Sequence, residues 1–136
     1  MTRGGDTRAV LRAARIMAFV ATTDPERAKV FYRDVLGLRL ASDEPYALVF
    51  DAGGTMLRIQ KMRELSPQPF TALGWEVDDI ERAVDDVVAR GATALRVPGW
   101  PQDARGIWAA NATTKVWWFK DPDGNTLSLT QLVTAS

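Results

Sequence analysis

Apolar and polar residues alternate along much of this chain and predict eight short β-strands. The fourth shows the pattern: Met56, Arg58 and Gln60 share one face, and Leu57 and Ile59 share the other. The stretch 107–114 fits neither a strand nor a loop pattern cleanly. The predicted strands are 16–22, 38–42, 46–50, 55–61, 71–77, 92–97, 115–120 and 126–130.

Two predicted helices each begin at an aspartate and end before a glycine. Asp24 is a good N-cap, and Pro25 follows at the first helical position, where its missing N–H costs nothing. Gly37 ends this helix, while Asp79 and Gly91 bound the second. The first helix buries a stripe formed by Ala28, Phe31, Tyr32 and Val35.

The chain contains an internal repeat. Residues 24–28 correspond to 79–83, and the turn 51–54 corresponds to the turn 121–124. A single half leaves a sheet face that it cannot bury alone. The predicted fold is therefore α+β, with two βαβββ modules forming a curved mixed sheet, helices on the outer face and a trough on the other. We expect an N-terminal extension over 1–15 and a single domain over 16–136, comprising module one (16–62), a linker (63–70) and module two (71–133).

A strong turn signal, Asp-Pro-Asp-Gly over 121–124, makes the last two strands a hairpin. If Lys120 lies opposite Asn125, Trp117 pairs with Ser128 and faces the trough, while Trp118 joins the core. A register shift of one residue would exchange the two tryptophans.

Composition narrows the possible chemistry. The chain of 136 residues has no Cys and no His, and its formal net charge is zero. These counts exclude a thiol nucleophile and a histidine base, and they give no general attraction to nucleic acid or membrane. No apolar run is long enough to span a bilayer, and the Arg-rich start lacks the apolar core of a secretory signal. We expect a cytoplasmic protein with no nucleic-acid or membrane partner.

Four segments together resemble the vicinal oxygen chelate superfamily, which includes glyoxalases, bleomycin-resistance proteins and ring-cleaving dioxygenases. The segments are 23–28, 31–38, 76–79 and 119–125. The resemblance implies paired βαβββ modules, a cup-shaped site and commonly a homodimer with its sites near the subunit interface.

The resemblance also places the family's four metal ligands on Met17, Arg58, Ala72 and Ser128. Methionine is a soft ligand, alanine has no donor and serine is weak, while Arg58 brings a positive charge to the metal's position. We therefore expect no metal and no cofactor, and metal-dependent glyoxalase or dioxygenase activity is disfavoured.

The leading hypothesis is a metal-independent binding protein that sequesters or carries a planar or amphipathic small molecule. Arg58 would hold an anionic or carbonyl group, or else form a structural ion pair with Glu76. Trp100 and Trp108 would be flat walls of the site, or else pack on a dimer partner. The proposed ligand-binding residues are Met17, Phe19, Arg58, Gln60, Glu76, Trp100, Trp108, Trp117 and Ser128; no catalytic residue is assigned.

Two alternative functions are also compatible with the sequence. One is a metal-free lyase or isomerase that uses Glu76 with Arg58 as its electrostatic partner. The other is a degenerate family member that acts only through its dimer surface.

Overall fold

A computed structural model of the protein describes residues 10–132. A short 3₁₀ turn, Val10–Ala13, precedes the first strand. The elements that follow are β1 (Met17–Thr22), α1 (Pro25–Val30, continued by a π-helical turn, Phe31–Val35), β2 (Arg39–Asp43), β3 (Ala47–Ala52), β4 (Thr55–Lys61), β5 (Thr71–Glu76), α2 (Ile80–Ala89), β6 (Trp108–Ala109), β7 (Thr114–Lys120) and β8 (Thr126–Leu132).

The strands form two four-stranded mixed sheets, ordered β1-β4-β3-β2 and β5-β8-β7-β6. In each sheet the first pair is parallel and the other pairs are antiparallel. This confirms the predicted α+β fold of two βαβββ modules; we call β1–β4 with α1 module one, and β5–β8 with α2 module two. The outer strands β1 and β5 approach each other, so the two sheets lie side by side.

Both helices begin and end where the sequence predicts. The carboxylates of Asp24 and Asp79 each accept a hydrogen bond, at 3.2 Å, from a backbone N–H in the first turn of their helix. Gly37 and Gly91 follow the helices with φ of 73° and 122°, a backbone region that residues with a Cβ rarely adopt. Neither helix of the described chain has the length and apolar character needed to cross a bilayer.

One hydrophobic core, shared by the two modules, lies between the helices and the sheets. Leu57 and Ile59 on β4 are fully buried in it, as their alternation predicts. Phe31 after α1 packs near Phe119 on β7, with ring centroids 6.4 Å apart. We call the opposite, helix-free side of the two sheets the trough face.

The turn between β7 and β8 binds module two to module one. Buried Asp121 accepts a hydrogen bond from the Tyr32 hydroxyl at 2.8 Å, and from the backbone N–H groups of Asp123 and Asn125 at 3.0 and 2.9 Å. The Asn125 side chain donates both to Asp121 and to the Ala21 carbonyl, each at 2.9 Å. Asp121 therefore shapes its own turn and fixes the module junction at once.

Asp123 in the same turn supports the loop that starts α1. Its carboxylate accepts hydrogen bonds from the Thr22 hydroxyl and from the Thr23 backbone N–H, the latter at 2.8 Å. The guanidinium of Arg27 donates to the Pro122 carbonyl at 2.7 Å. We call these contacts, together with those of Asp121, the turn clasp.

One strand prediction in module two is wrong. Residues 92–97 do not form a strand; Ala94 makes a single bridge to Phe119. The place beside β7 is taken instead by β6, Trp108–Ala109, which lies in the stretch that the pattern left unassigned. Gln102 lies in the intervening loop, and its side chain donates a hydrogen bond to the Leu95 carbonyl at 3.0 Å. The Leu95 carbonyl therefore has a hydrogen-bond partner although it belongs to no β-ladder.

The predicted hairpin register is also wrong, by one residue. Lys120 pairs with Thr126 rather than with Asn125. Asn125 belongs to the turn, because the backbone N–H of Asp121 donates a hydrogen bond to the Asn125 carbonyl. Trp118 therefore lies opposite Ser128 on the trough face. Trp117 lies opposite Leu129 in the core, with none of its surface exposed.

Residues 1–9 and 133–136 lie outside the described residues. Most of the predicted extension and the predicted end of module two fall on them. The domain and linker boundaries stay predictions.

Replacing Tyr32 with Phe should destabilise the fold by about 1–3 kcal/mol, because Asp121 stays buried and loses a donor. Burial, reinforced by Asp121, raises the pKa of Tyr32 well above its ordinary 10.0. The stability linked to Tyr32 is thus fully present below pH 10 and is lost as pH rises above it, so the variant should also show a shallower decline in alkali. Urea unfolding at several pH values measures both effects.

The matched control is Tyr46→Phe, because the Tyr46 side chain is largely exposed and its hydroxyl should contribute less than about 0.5 kcal/mol. Equal stability losses in the two variants would contradict a role for the Tyr32–Asp121 contact in joining the modules.

Candidate functional site

Three tryptophans meet on the trough face of module two. Trp118 projects from β7, Trp108 from β6 and Trp100 from the loop before β6. The ring centroid of Trp100 lies 4.6 Å from that of Trp108 and 5.3 Å from that of Trp118, and Trp108 and Trp118 are 5.7 Å apart. We call these residues the Trp cluster. The structure brings Trp100 and Trp108 into contact with each other and with Trp118, whereas Trp117, the predicted site residue, lies in the core.

The rings of the Trp cluster are in contact with one another, so a ligand can reach only their outer surfaces and cannot insert between them. Trp108 and Trp118 are stacked with an interplanar angle of 28°. A flat ligand between two rings needs a separation of about 7 Å, twice the usual contact distance of carbon atoms. Trp100 meets Trp118 edge to face, at 71°, and keeps 45% of its surface exposed. Trp100 is therefore the most accessible surface for stacking.

Apolar side chains also remain exposed on the trough face of module one. Met17 and Phe19 on β1, and Met56 on β4, are each 43–49% exposed. Met17 pairs with Met56, and Phe19 with Arg58, across the parallel β1–β4 ladder. A cleft of about 410 Å³ next to them is lined in part by Met17 and Met56. These side chains give module one an apolar surface with Arg58 beside it.

Arg58 has a different carboxylate partner from the predicted one. Its Nη2 lies 3.4 Å from Oε1 of Glu44, in the connection between β2 and β3, and both side chains are partly exposed. Among the described residues, the Arg58–Glu76 ion pair, one of the two alternatives for Arg58, does not form. Glu76 lies exposed at the end of β5, and Gln60 is exposed two residues beyond Arg58. Sequence alternation placed Arg58 on the correct face but could not show which carboxylate it would reach.

Ser128 lies buried between Gly74 on β5 and Trp118 on β7. A Cβ atom at Gly74 would lie only 2.5 Å from the Ser128 hydroxyl oxygen, so only glycine fits there without a shift. The serine hydroxyl therefore fills the space beside β5 and leaves little room for a larger side chain at either position.

The residues at the four positions that the resemblance assigns to metal ligands do not match the chemistry of a divalent cation. Met17, Arg58, Ala72 and Ser128 supply a thioether, a cation, a methyl group and a hydroxyl. Within residues 10–132, no three His, Cys, Asp or Glu side chains are grouped so that they could hold a metal ion.

Several residues in and around the trough-face site are not identified by the sequence pattern. The hairpin register expected from the sequence puts Trp118 in the core, whereas the register shifted by one residue puts it on the trough face, as observed. Glu44, Gly74 and Gln102 carry no sequence signal of a site, because their roles depend on contacts between separate strands and loops.

Comparison with known proteins places the fold in a family. The model of the Glyoxalase/Bleomycin resistance protein/Dioxygenase superfamily matches residues 12–129. None of the curated proteins matches the chain.

Solved structures share the fold at low sequence identity. A glyoxalase/bleomycin resistance protein/dioxygenase from Alicyclobacillus acidocaldarius is 18% identical with a TM-score of 0.68, covering 90% of this chain and 93% of that one. TnmS3, an antibiotic binding protein from Streptomyces sp. CB03234, is 23% identical with a TM-score of 0.65, covering 88% and 98%. FosX, a fosfomycin resistance protein from Listeria monocytogenes, is 12% identical with a TM-score of 0.68, covering 88% and 93%.

The observed register predicts opposite behaviour for two adjacent tryptophans. Trp117→Phe should cost about 1–3 kcal/mol of stability, because Trp117 is fully buried and its indole N–H donates to the Arg105 carbonyl at 2.9 Å. Trp118→Phe should cost less but should alter the circular dichroism of the coupled indoles. Urea unfolding and near-ultraviolet circular dichroism test both; the reverse order of stability losses would support the register predicted from the sequence.

Proposed function

Since the chain belongs to the glyoxalase/bleomycin resistance protein/dioxygenase superfamily, we propose that it is a small-molecule binding protein that sequesters or carries a planar or amphipathic ligand without a metal. TnmS3, of the same fold, is an antibiotic binding protein, and FosX is a fosfomycin resistance protein. These relatives support binding of a small molecule, and the side chains of this chain narrow its chemistry.

The Trp cluster is the observation that carries the proposal. Flat aromatic surfaces bind planar ligands by offset or edge-to-face stacking, in addition to the apolar area that they bury. The half-exposed ring of Trp100 and the partly exposed rings of Trp108 and Trp118 give such a surface on one side of the sheet. A fused-ring or conjugated ligand would stack on this surface.

Arg58 would bind the polar end of the proposed ligand. Its contact with Glu44, at 3.4 Å between partly exposed side chains, is a weak ion pair that a ligand could replace at little cost. A carboxylate or carbonyl oxygen would accept forked hydrogen bonds from the guanidinium. Met17, Phe19 and Met56 beside Arg58 would contact apolar parts of the ligand. The proposed ligand is therefore amphipathic.

Metal independence is part of the proposal and rests on the donor set. Arg58 and Ser128 occupy corresponding places in the two modules, each four residues after the last glycine of a turn. A guanidinium and a hydroxyl there repel or only weakly bind a divalent cation. Shape and hydrogen bonds would select the ligand instead.

The other hypotheses differ in their support. The lyase or isomerase hypothesis loses its assumed Arg58–Glu76 pair, because Arg58 contacts Glu44. The homodimer stays a prediction, as does the cytoplasmic location.

Planar antibiotics and natural products should quench the tryptophan fluorescence of the full chain. Trp118→Ala or Trp100→Ala should weaken binding of the best ligand about two- to tenfold, because a lost aromatic contact is worth about 0.5–1.5 kcal/mol. Val88→Ala, an exposed apolar residue on α2, is the matched control and should leave the affinity unchanged. Failure of the whole panel to quench, or undiminished binding by both Trp variants, would contradict the proposed function.

Purified protein should contain no stoichiometric divalent metal, and ligand affinity should be the same with and without a chelator. Elemental analysis and titration calorimetry with Zn²⁺ and Mn²⁺ check this directly. A stoichiometric metal that a chelator removes together with ligand binding would overturn the proposed metal independence.

A further inference from the structure

The loop that carries Trp100, between α2 and β6, is fixed to the rest of module two by side chains that bind its backbone. We propose that Gln102 is the positioning residue that fixes Trp100 in the Trp cluster, so that a ligand meets a preformed aromatic surface and no loop has to close. This inference rests on the proposed function and adds to it how that same site obtains its shape.

The Gln102 side chain makes three hydrogen bonds to the loop backbone. Its carbonyl oxygen accepts from the Val97 N–H at 2.6 Å. Its amide nitrogen donates to the Leu95 carbonyl at 3.0 Å and to the Gly106 carbonyl at 2.8 Å. One partly buried amide therefore ties together both sides of the loop whose tip carries Trp100.

The backbone of Gln102 links two members of the Trp cluster. It forms a bridge with Trp108, and its N–H donates to the Trp100 carbonyl at 2.9 Å. Trp100 is thus two residues from a side chain with three hydrogen bonds, and the Gln102 backbone joins it to β6. This short backbone connection is consistent with the 4.6 Å separation of the Trp100 and Trp108 ring centroids.

Independent contacts anchor the base of the loop. The Trp117 indole donates to the Arg105 carbonyl at 2.9 Å, and the Arg105 guanidinium forms a fork with Asp85 on α2 at 2.9 and 3.1 Å. At Gly106, with φ of 96°, an added Cβ would lie 2.9 Å from the Ala94 side chain. Loss of the three Gln102 side-chain contacts should therefore loosen the Trp100 end, which keeps its backbone contacts, while the base stays attached.

A fixed Trp100 lowers the cost of binding. A side chain or loop that becomes ordered only on binding loses conformational entropy, and this loss lowers the affinity. A preorganised side chain or loop does not incur the loss on binding. Gln102 should therefore raise the affinity without touching the ligand, and its effect should require the Trp100 ring.

Gln102→Met is the test variant, because it keeps the length of the side chain and removes all three hydrogen bonds. The probe is anilinonaphthalene sulfonate, a conjugated anion whose fluorescence rises on binding. Gln102→Met should weaken its binding about two- to fivefold, no more than Trp100→Ala does, and Gln68→Met in the linker is the matched control with no expected effect. Gln102→Glu, which keeps an acceptor for Val97, serves as a second variant if the first fails to fold.

A double-mutant cycle separates positioning from a general structural role. In a Trp100→Ala background, Gln102→Met should change the affinity for the probe less than about twofold, because the side chain that it positions is absent. A loss of equal size in both backgrounds, or no loss in the wild-type background, would overturn the inference.

A ligand-free measurement distinguishes failure of this inference from failure of the proposed function. Circular dichroism from the coupled indoles should weaken in Gln102→Met about as much as in Trp100→Ala. An unchanged spectrum in the folded Gln102 variant would refute positioning even if ligands bind. A changed spectrum in a protein that binds neither the probe nor any planar ligand would support positioning and refute the proposed function alone.

Discussion

The buried carboxylate of Asp121 joins the two halves of the molecule. It orders the β7–β8 turn through backbone N–H groups and accepts the Tyr32 hydroxyl from module one. The same turn, through Asp123, holds the loop between β1 and α1. β1 and β5 also approach each other, and the trough face extends across both modules. Together with the shared hydrophobic core, this short turn and its charged, largely buried hydrogen bonds set the relative placement of the two module surfaces.

Much of the fold follows from local pattern. Alternation in β4, the aspartate caps and the glycines after the helices lie close in sequence to the structure that they specify, so the sequence predicted them well. The hairpin register depended on whether Asn125 belongs to the turn or the strand, and its contact with Ala21, 104 residues away, keeps it in the turn. The loop before β6 follows no periodicity, because side-chain contacts from Gln102 and Arg105 shape it.

The candidate site also has features that the sequence predicts and features that it does not. Faces could be predicted: Met17, Phe19, Arg58 and Gln60 lie on the trough face, where alternation put them. Partners could not, because they depend on which separate elements meet. Arg58 contacts Glu44 rather than Glu76, and Trp118 takes the place expected for Trp117. An exchange of these two tryptophans changes the site from isolated walls to a cluster of three contacting rings.

The central claim is that the Trp cluster is the ligand-binding surface. The chain has five tryptophans, three in the cluster and two, Trp75 and Trp117, packed with the core. The most direct measurement is an NMR titration that follows the indole N–H signals of the isotope-labelled protein with a planar ligand. The account predicts that the signals of Trp100, Trp108 and Trp118 shift, while those of Trp75 and Trp117 stay in place. Shifts confined to Trp75 and Trp117, or saturable binding that moves no indole signal, would contradict it.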